Sequence, residues 1–222
     1  ITVHSAGDPR EQLRFMLGDP HFGMNSIQLN QRRIDRIVED FRQAAYEEGR
    51  KVPISVDEFT VDKGTNKSWV PIDDADAHRK QKLWPTYLSG GQIEFILEGL
   101  LKVDDFRGGE KDALWTYVWN ARKFMQNNLP FWRMHPADSL VEDEGTIKVG
   151  LGDGKSFQLG AQVFCEENHV YAIYLPTGSP SGSLDLFHAN GTFIQQWYNP
   201  RSGEFEGGSK TIQAGETIEL GT

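Results

Sequence analysis

The sequence predicts an α/β unit followed by an all-β unit. Up to about residue 130, brief apolar runs of buried-strand type alternate with helix-period segments, the pattern of a parallel sheet with helical crossovers. After Leu129-Pro130 only strand-length runs remain, separated by turn residues. Apolar residues make up 38% of the 222, with six Trp, six Tyr and thirteen Phe, enough to build packed cores. The boundary is placed between residues 135 and 136.

Ile1 to His4, Met24 to Leu29, Val52 to Val56 and Ile93 to Leu97 read as strands covered on both faces. From Gln31 to Glu48, Ile34, Ile37, Val38, Phe41 and Ala45 recur at the i, i+3, i+4, i+7 spacing of an amphipathic helix, and Gly49 stops it. A second helix is expected over Asp74 to Leu88 with Gly90-Gly91 as its stop. A third, from about Gly109 to Gln126, carries Leu114, Trp115, Val118 and Phe124. In the second unit Ala161 to Cys165, Val170 to Leu175, Ser183 to Phe187, Thr192 to Tyr198 and Thr217 to Leu220 are expected strands of a small antiparallel β-sandwich. Asn190-Gly191 predicts a tight hairpin, and Pro200 to Gly203 and Gln213 to Gly215 further turns.

Several function classes lack support. A net charge of -9 with no basic run longer than Arg32-Arg33 disfavours a nucleic-acid partner, and no apolar stretch reaches bilayer length, so no membrane role is expected. Cys165 is alone, which excludes an internal disulfide and a cysteine-based zinc cage. His21, His78 and His135 do not have metal-ligand spacing, and the acidic residues around Asp73 read as a helix N-terminal turn, so no metal or other cofactor is assigned. A phosphate loop, a nucleophile elbow and a Cys-His pair are not found in the sequence. The chain opens on Ile1 with strand-like residues and no leader, so a preceding segment is expected.

The run from Lys51 to Phe59 delivers two adjacent carboxylates, Asp57 and Glu58, at a strand's carboxyl end, where parallel α/β folds build their sites. Neighbours on a strand point to opposite faces, so one of the pair reaches the site, and Glu58 is the candidate for glycoside chemistry. The alternative is that either acid caps the next loop or pairs with a cation. His4, Gln28 and Asn30 end the first two strands with hydrogen-bonding groups of the kind sugar sites use, although a lone strand-end histidine is also met as a structural residue. Glu94, in the otherwise apolar Ile93 to Leu97, either lines the same pocket or pairs with Arg79 or Arg107. Trp84, Trp69, Trp115, Trp119 and Trp132 are candidate stacking platforms, against the alternative that aromatics at helical spacing are core; Trp69, set in a polar loop, stands apart from that alternative.

Thr2-Val3-His4, Ser26-Ile27-Gln28, Pro53 to Glu58, Leu88 to Phe95, Asp105-Phe106-Arg107, Leu129 to Trp132 and Trp197 to Gly203 together resemble bacterial (β/α)₈ glycoside-hydrolase-like proteins with a C-terminal module labelled collagen-binding. The resemblance covers nearly the whole chain. It implies the C-terminal half of a (β/α)₈ TIM barrel, strands five to eight, over residues 1–135, and a β-sandwich over 136–222. The nucleophile of such barrels stands on strand seven, which makes it Glu58, and the acid/base on strand four, outside this sequence. The resemblance further implies a carbohydrate substrate, an extracellular or periplasmic setting, and a fragment in which Asp57 joins His4, Gln28, Asn30 and Glu94 at the sugar. Half a barrel exposes a strand edge, so a homo-oligomer, another segment or the chain's own helices are expected to cover it. The competing expectation is a non-catalytic carbohydrate- or protein-binding module.

Overall fold

A computed structural model of the chain describes residues 1–6, 12–28, 33–60, 74–96, 108–142, 144–152, 155–179 and 181–221. The chain divides into two compact units, Ile1–Leu114 with Val149–Phe157, and Trp115–Lys148 with Gln158–Thr222. The division falls inside a helix, so α/β and all-β character do not separate at a single point of the sequence.

In the first unit β1 (Thr2–Ala6), β2 (Met24–Gln28), β3 (Ile54–Thr60) and β4 (Gln92–Ile96) form a parallel sheet in the order β1-β2-β3-β4. Register puts His4 opposite Ser26, Ser26 opposite Ser55, and Ser55 opposite Gln92. Registered neighbours share a face, and side chains alternate along each strand. One face therefore carries the apolar set Ile27, Ile54, Val56 and Phe95, all buried. Helix α1 (Ile34–Glu47) packs against β3 through the stripe Ile34, Ile37, Val38, Phe41 and Ala45, and the edge of the buried His78 ring meets Phe95 at 5.9 Å. The opposite face is polar.

Two glycine stops set the path back into the sheet. After α1, the Gly49 N–H bonds the Tyr46 carbonyl and the Arg50 N–H bonds that of Ala45, with Gly49 at φ 73°, a Schellman closure that needs a left-handed residue. The same pair of bonds recurs at Gly90 to Tyr87 and Gly91 to Thr86. A Cβ on Gly91 would stand 2.8 Å from Val38 Cγ1, so the turn into β4 passes directly beneath α1.

The second helical segment is not uniform. It begins as α2 (Ala75–His78), where the Asp74 carboxylate accepts from the Ala77 N–H at 2.8 Å as its N-cap, winds as a π-helix over Arg79–Leu83, and resumes as α3 (Trp84–Leu88). Pro85 has no N–H for the Gln81 carbonyl, and the wider winding just before it absorbs the loss. The 3-10 turn Arg14–Met16 leads to a loop whose carbonyls at Leu17, Asp19 and Phe22 all accept from the Arg50 guanidinium, at 2.9, 2.6 and 2.6 Å. That one side chain fixes the approach to β2.

α4 (Glu110–Asn128) precedes the antiparallel part, in which β5 (His135–Pro136), β9 (Gln162–Glu166) and β10 (Val170–Tyr174) form one sheet. A second contains β6 (Val141–Glu142), β11 (Ser183–Asp185) and β14 (Thr217–Glu219); β7 (Ile147–Gly152) with β8 (Lys155–Leu159), and β12 (Thr192–Asn199) with β13 (Glu204–Gln213), are two-stranded ribbons. Val141, Ala161, Val163, Cys165, Leu184, Leu186, Ile212 and Leu220 make the core.

The hairpin expected at Asn190-Gly191 does not form. β11 pairs with β14 and β6, and β12 with β13 across the Pro200 to Gly203 turn. Leu186 stays in the β11 sheet by bonding the Glu216 carbonyl, and the Asp185 carboxylate caps a turn at Phe187, so the chain leaves that sheet before Gly191. β13 was illegible because Glu204 to Thr211 is exposed throughout and has no period-two apolar signal.

Candidate functional site

The polar face of the parallel sheet brings three strands' side chains together. The Ser26 hydroxyl of β2 donates to Asp57 Oδ2 of β3, and His4 Nδ1 of β1 stands 3.1 Å from the same oxygen and 3.3 Å from Ser26 Oγ. Ser26 is 3% exposed, while the Asp57 and His4 side chains are 20% and 40% exposed. The cluster thus runs from a buried hydroxyl outward to an accessible imidazole. Among the described residues Asp57 Oδ1, which is buried, has no hydrogen-bond partner, and the contacts to the carboxylate are made at Oδ2.

Alternation extends the same face to Gln28, two residues beyond Ser26, and to Gln92 and Glu94 of β4. Glu94 is exposed, and Arg79, one of its two expected partners, pairs with Asp76 at 2.7 Å. Pairing of β3 with β4 slips between Val56 and Phe59, where β3 spends one residue more than β4. This bulge falls on Asp57-Glu58, and such irregularities bend a strand and re-aim its side chains. The Glu58 backbone belongs to β3; its side chain, together with Asn30, Trp69 and Arg107, lies outside the described residues.

One expected site residue is corrected. Trp84 is 3% exposed on α3, packed in the helical layer with buried Leu83 and Leu88, and is a core residue rather than a stacking platform. Ser26 was not singled out for the site, although its position two residues before Gln28 already placed both on one face. The Cys-His proximity absent from the sequence pattern exists in space: Cys165 Sγ lies 3.8 Å from His135 Nε2 across β9 and β5. Burial, and then the Glu167 charge, push that thiol up to about 11, so it is no nucleophile at neutral pH. Among the described residues no group of three or more His, Cys, Asp or Glu is placed to hold a metal ion, and no helix is long and apolar enough to cross a membrane.

A parallel sheet covered by helices on its apolar face, with polar side chains gathered on the other, defines an α/β protein of the kind that builds sites on its strands. Its fold is similar to that of a glycoside hydrolase family 5 protein from Bacteroides vulgatus ATCC 8482, with a TM-score of 0.52 at 12% identity over 93% of this chain and 48% of that one. The chain thus spans about half the length of the solved structure it matches. No family model matches the sequence, and no curated protein matches it.

Proposed function

We propose that this chain is part of a glycoside hydrolase in which the four-stranded sheet belongs to a (β/α)₈ barrel and the antiparallel strands that follow it in sequence form a β-sandwich. The observation that carries the reading is the polar face shared by His4, Ser26, Gln28, Asp57 and Glu94, on a fold similar to that of a glycoside hydrolase. Glu58, next to Asp57 at the β3 bulge, is the proposed nucleophile. It attacks the anomeric carbon as the glycosidic bond breaks and the leaving oxygen takes a proton from an acid on another strand of the complete barrel; water then releases the sugar. His4, Gln28, Asn30 and Glu94 are proposed hydroxyl partners and Trp69 a ring platform. A net charge of -9 favours a neutral glycan over an acidic one. An extracellular or periplasmic setting, and closure of the sheet's edges by a second copy or a further segment, belong to the same proposal.

The test is turnover of a plant and algal glycan panel by the protein carrying this chain with its complete sheet. Glu58→Gln is expected to lower turnover by at least about a thousandfold with circular dichroism unchanged. Wild-type turnover in that variant refutes the assignment.

A second reading, a non-catalytic carbohydrate-binding module, is favoured by Trp132, 62% exposed and edge-on to the exposed Phe131 at 5.3 Å. Glycan binding abolished by Trp132→Ala, with no turnover by the complete protein, selects it.

A further inference from the structure

The geometry points to a fixed histidine tautomer on the polar face: Asp57 is a positioning residue that holds the His4 proton on Nδ1, so that the ring presents a bare Nε2 as hydrogen-bond acceptor. With Asp57 present as a carboxylate, the contacts favour one placement of protons. As a carboxylate Asp57 has only lone pairs to offer, and its Oδ2 stands 3.1 Å from His4 Nδ1. Two lone pairs at that distance repel, so Nδ1 carries the proton. Ser26 cannot supply a substitute, because its single hydroxyl proton is donated to the same carboxylate oxygen, Oδ2. At 3% exposure Ser26 has almost no water to donate to instead. A neutral imidazole holds one proton, and with that proton on Nδ1 the second nitrogen is an acceptor.

This changes the role of Asp57 from substrate ligand to positioning group. Its Oδ1 is buried and its Oδ2 is saturated by two donors, whereas the His4 ring is 40% exposed. What His4 Nε2 recognises is therefore a donor group, and only the identification of that donor as a sugar hydroxyl rests on the glycoside hydrolase reading. Ser26, buried and registered opposite His4, holds the carboxylate in place from beneath.

The deciding measurement is the long-range ¹H–¹⁵N spectrum of the histidine rings at about pH 8.5, roughly two units above the ordinary histidine value. His4→Gln assigns the signal. The wild-type chain is expected to show His4 protonated at Nδ1 with Nε2 pyridine-like. Asp57→Ala should return the ring to the Nε2–H form that a free imidazole prefers, while Ser26→Ala leaves Nδ1 protonated. An Nε2–H signal in the wild type overturns the inference, and so does an unchanged signal in Asp57→Ala. If Asp57→Ala fails to fold, the wild-type and Ser26→Ala spectra still decide. Titration with cello- and xylo-oligosaccharides separates the ligand from the tautomer. His4→Gln, which keeps an acceptor oxygen near Nε2, should bind about tenfold tighter than His4→Leu. Equal binding by both overturns the acceptor role, and a correct tautomer with no glycan bound by any form sinks the carbohydrate reading alone.

Discussion

The Asn120 side-chain amide donates to the Arg201 carbonyl at 2.9 Å, while the Asn120 backbone carbonyl accepts from the Tyr198 hydroxyl at 3.1 Å. One buried residue of α4 thus holds the Tyr198 to Gly203 segment at two points, Tyr198 and Arg201. The Asn199 carboxamide closes that turn by accepting from the Arg201 N–H, and Phe124 stacks on Tyr198 at 4.5 Å. The sequence Tyr198 to Gly203 is therefore a clamp between the β12-β13 turn and α4.

Gly203 is the sensitive point of this clamp. Its φ is 79°, and a Cβ there would lie 2.5 Å from Asn120 Oδ1. Gly203→Ala adds left-handed strain to a clash with a buried amide and is expected to cost about 2 to 3 kcal/mol. Asn120→Ala, which strands a carbonyl without overpacking, should cost about 1 to 2 kcal/mol. Urea unfolding followed by amide exchange in β9 and β13 measures both; a Gly203→Ala cost below that of Asn120→Ala refutes the close approach.

Lys82 gives the first unit a pH dependence. Its side chain is buried in the helical layer, and desolvation lowers its pKa from 10.5 to about 8 despite the opposing Asp35 charge. Between those two values the unfolded chain binds a proton that the folded chain has lost, so stability rises with pH, by up to about 3 kcal/mol across the window. Below about pH 8 the full cost of burying the charge is present. Lys82→Met should raise stability at pH 7 and flatten the dependence, since Asp35 keeps its bond from Arg33 at 2.5 Å. Amide exchange in α1 and β3 from pH 7 to pH 9, corrected for intrinsic rates, checks this; stability that falls over that range contradicts it.

Arg50 is the residue on which the loop before β2 depends. Its guanidinium satisfies three carbonyls, and Arg50→Ala leaves all three without that charged donor. A loss of about 2 to 4 kcal/mol is expected, with Arg50→Lys recovering less than half because an ammonium cannot match the forked geometry. Thermal melts of the two variants provide the comparison, and recovery by lysine to the wild-type midpoint speaks against the fork.

Legibility in the sequence followed physical range. α1 and its Gly49 stop were readable because a 3.6-residue apolar stripe and a left-handed cap are local properties. The four parallel strands were visible as short apolar runs, but the slip at Asp57-Glu58 was not, since a bulge is a relation between β3 and β4. Likewise His4 and Asp57 were each visible as polar strand residues, whereas their meeting beside Ser26 depends on the register of three strands. The Asn190-Gly191 signal misled because local turn preference lost to pairing between β11 and β14, which lie about thirty residues apart.

Cys165 reports the opening of the second unit. The thiol is 0% exposed in the core beside Val163 and Leu184, and its pKa is raised from 9.0 to about 11. A thiol-specific reagent at pH 8 needs both access and thiolate, and the folded state withholds both. Labelling should therefore proceed only through unfolding molecules, at a rate that rises with urea and matches the exchange of β9 amides. Asn120→Ala should speed it about five- to thirtyfold, the factor that 1 to 2 kcal/mol implies when opening is a pre-equilibrium. Above pH 9 the unfolded thiol ionises first, so the second unit should lose stability with rising pH while Lys82 still strengthens the first. Rapid labelling of the native chain at pH 8, with β9 amides still protected, is incompatible with this burial.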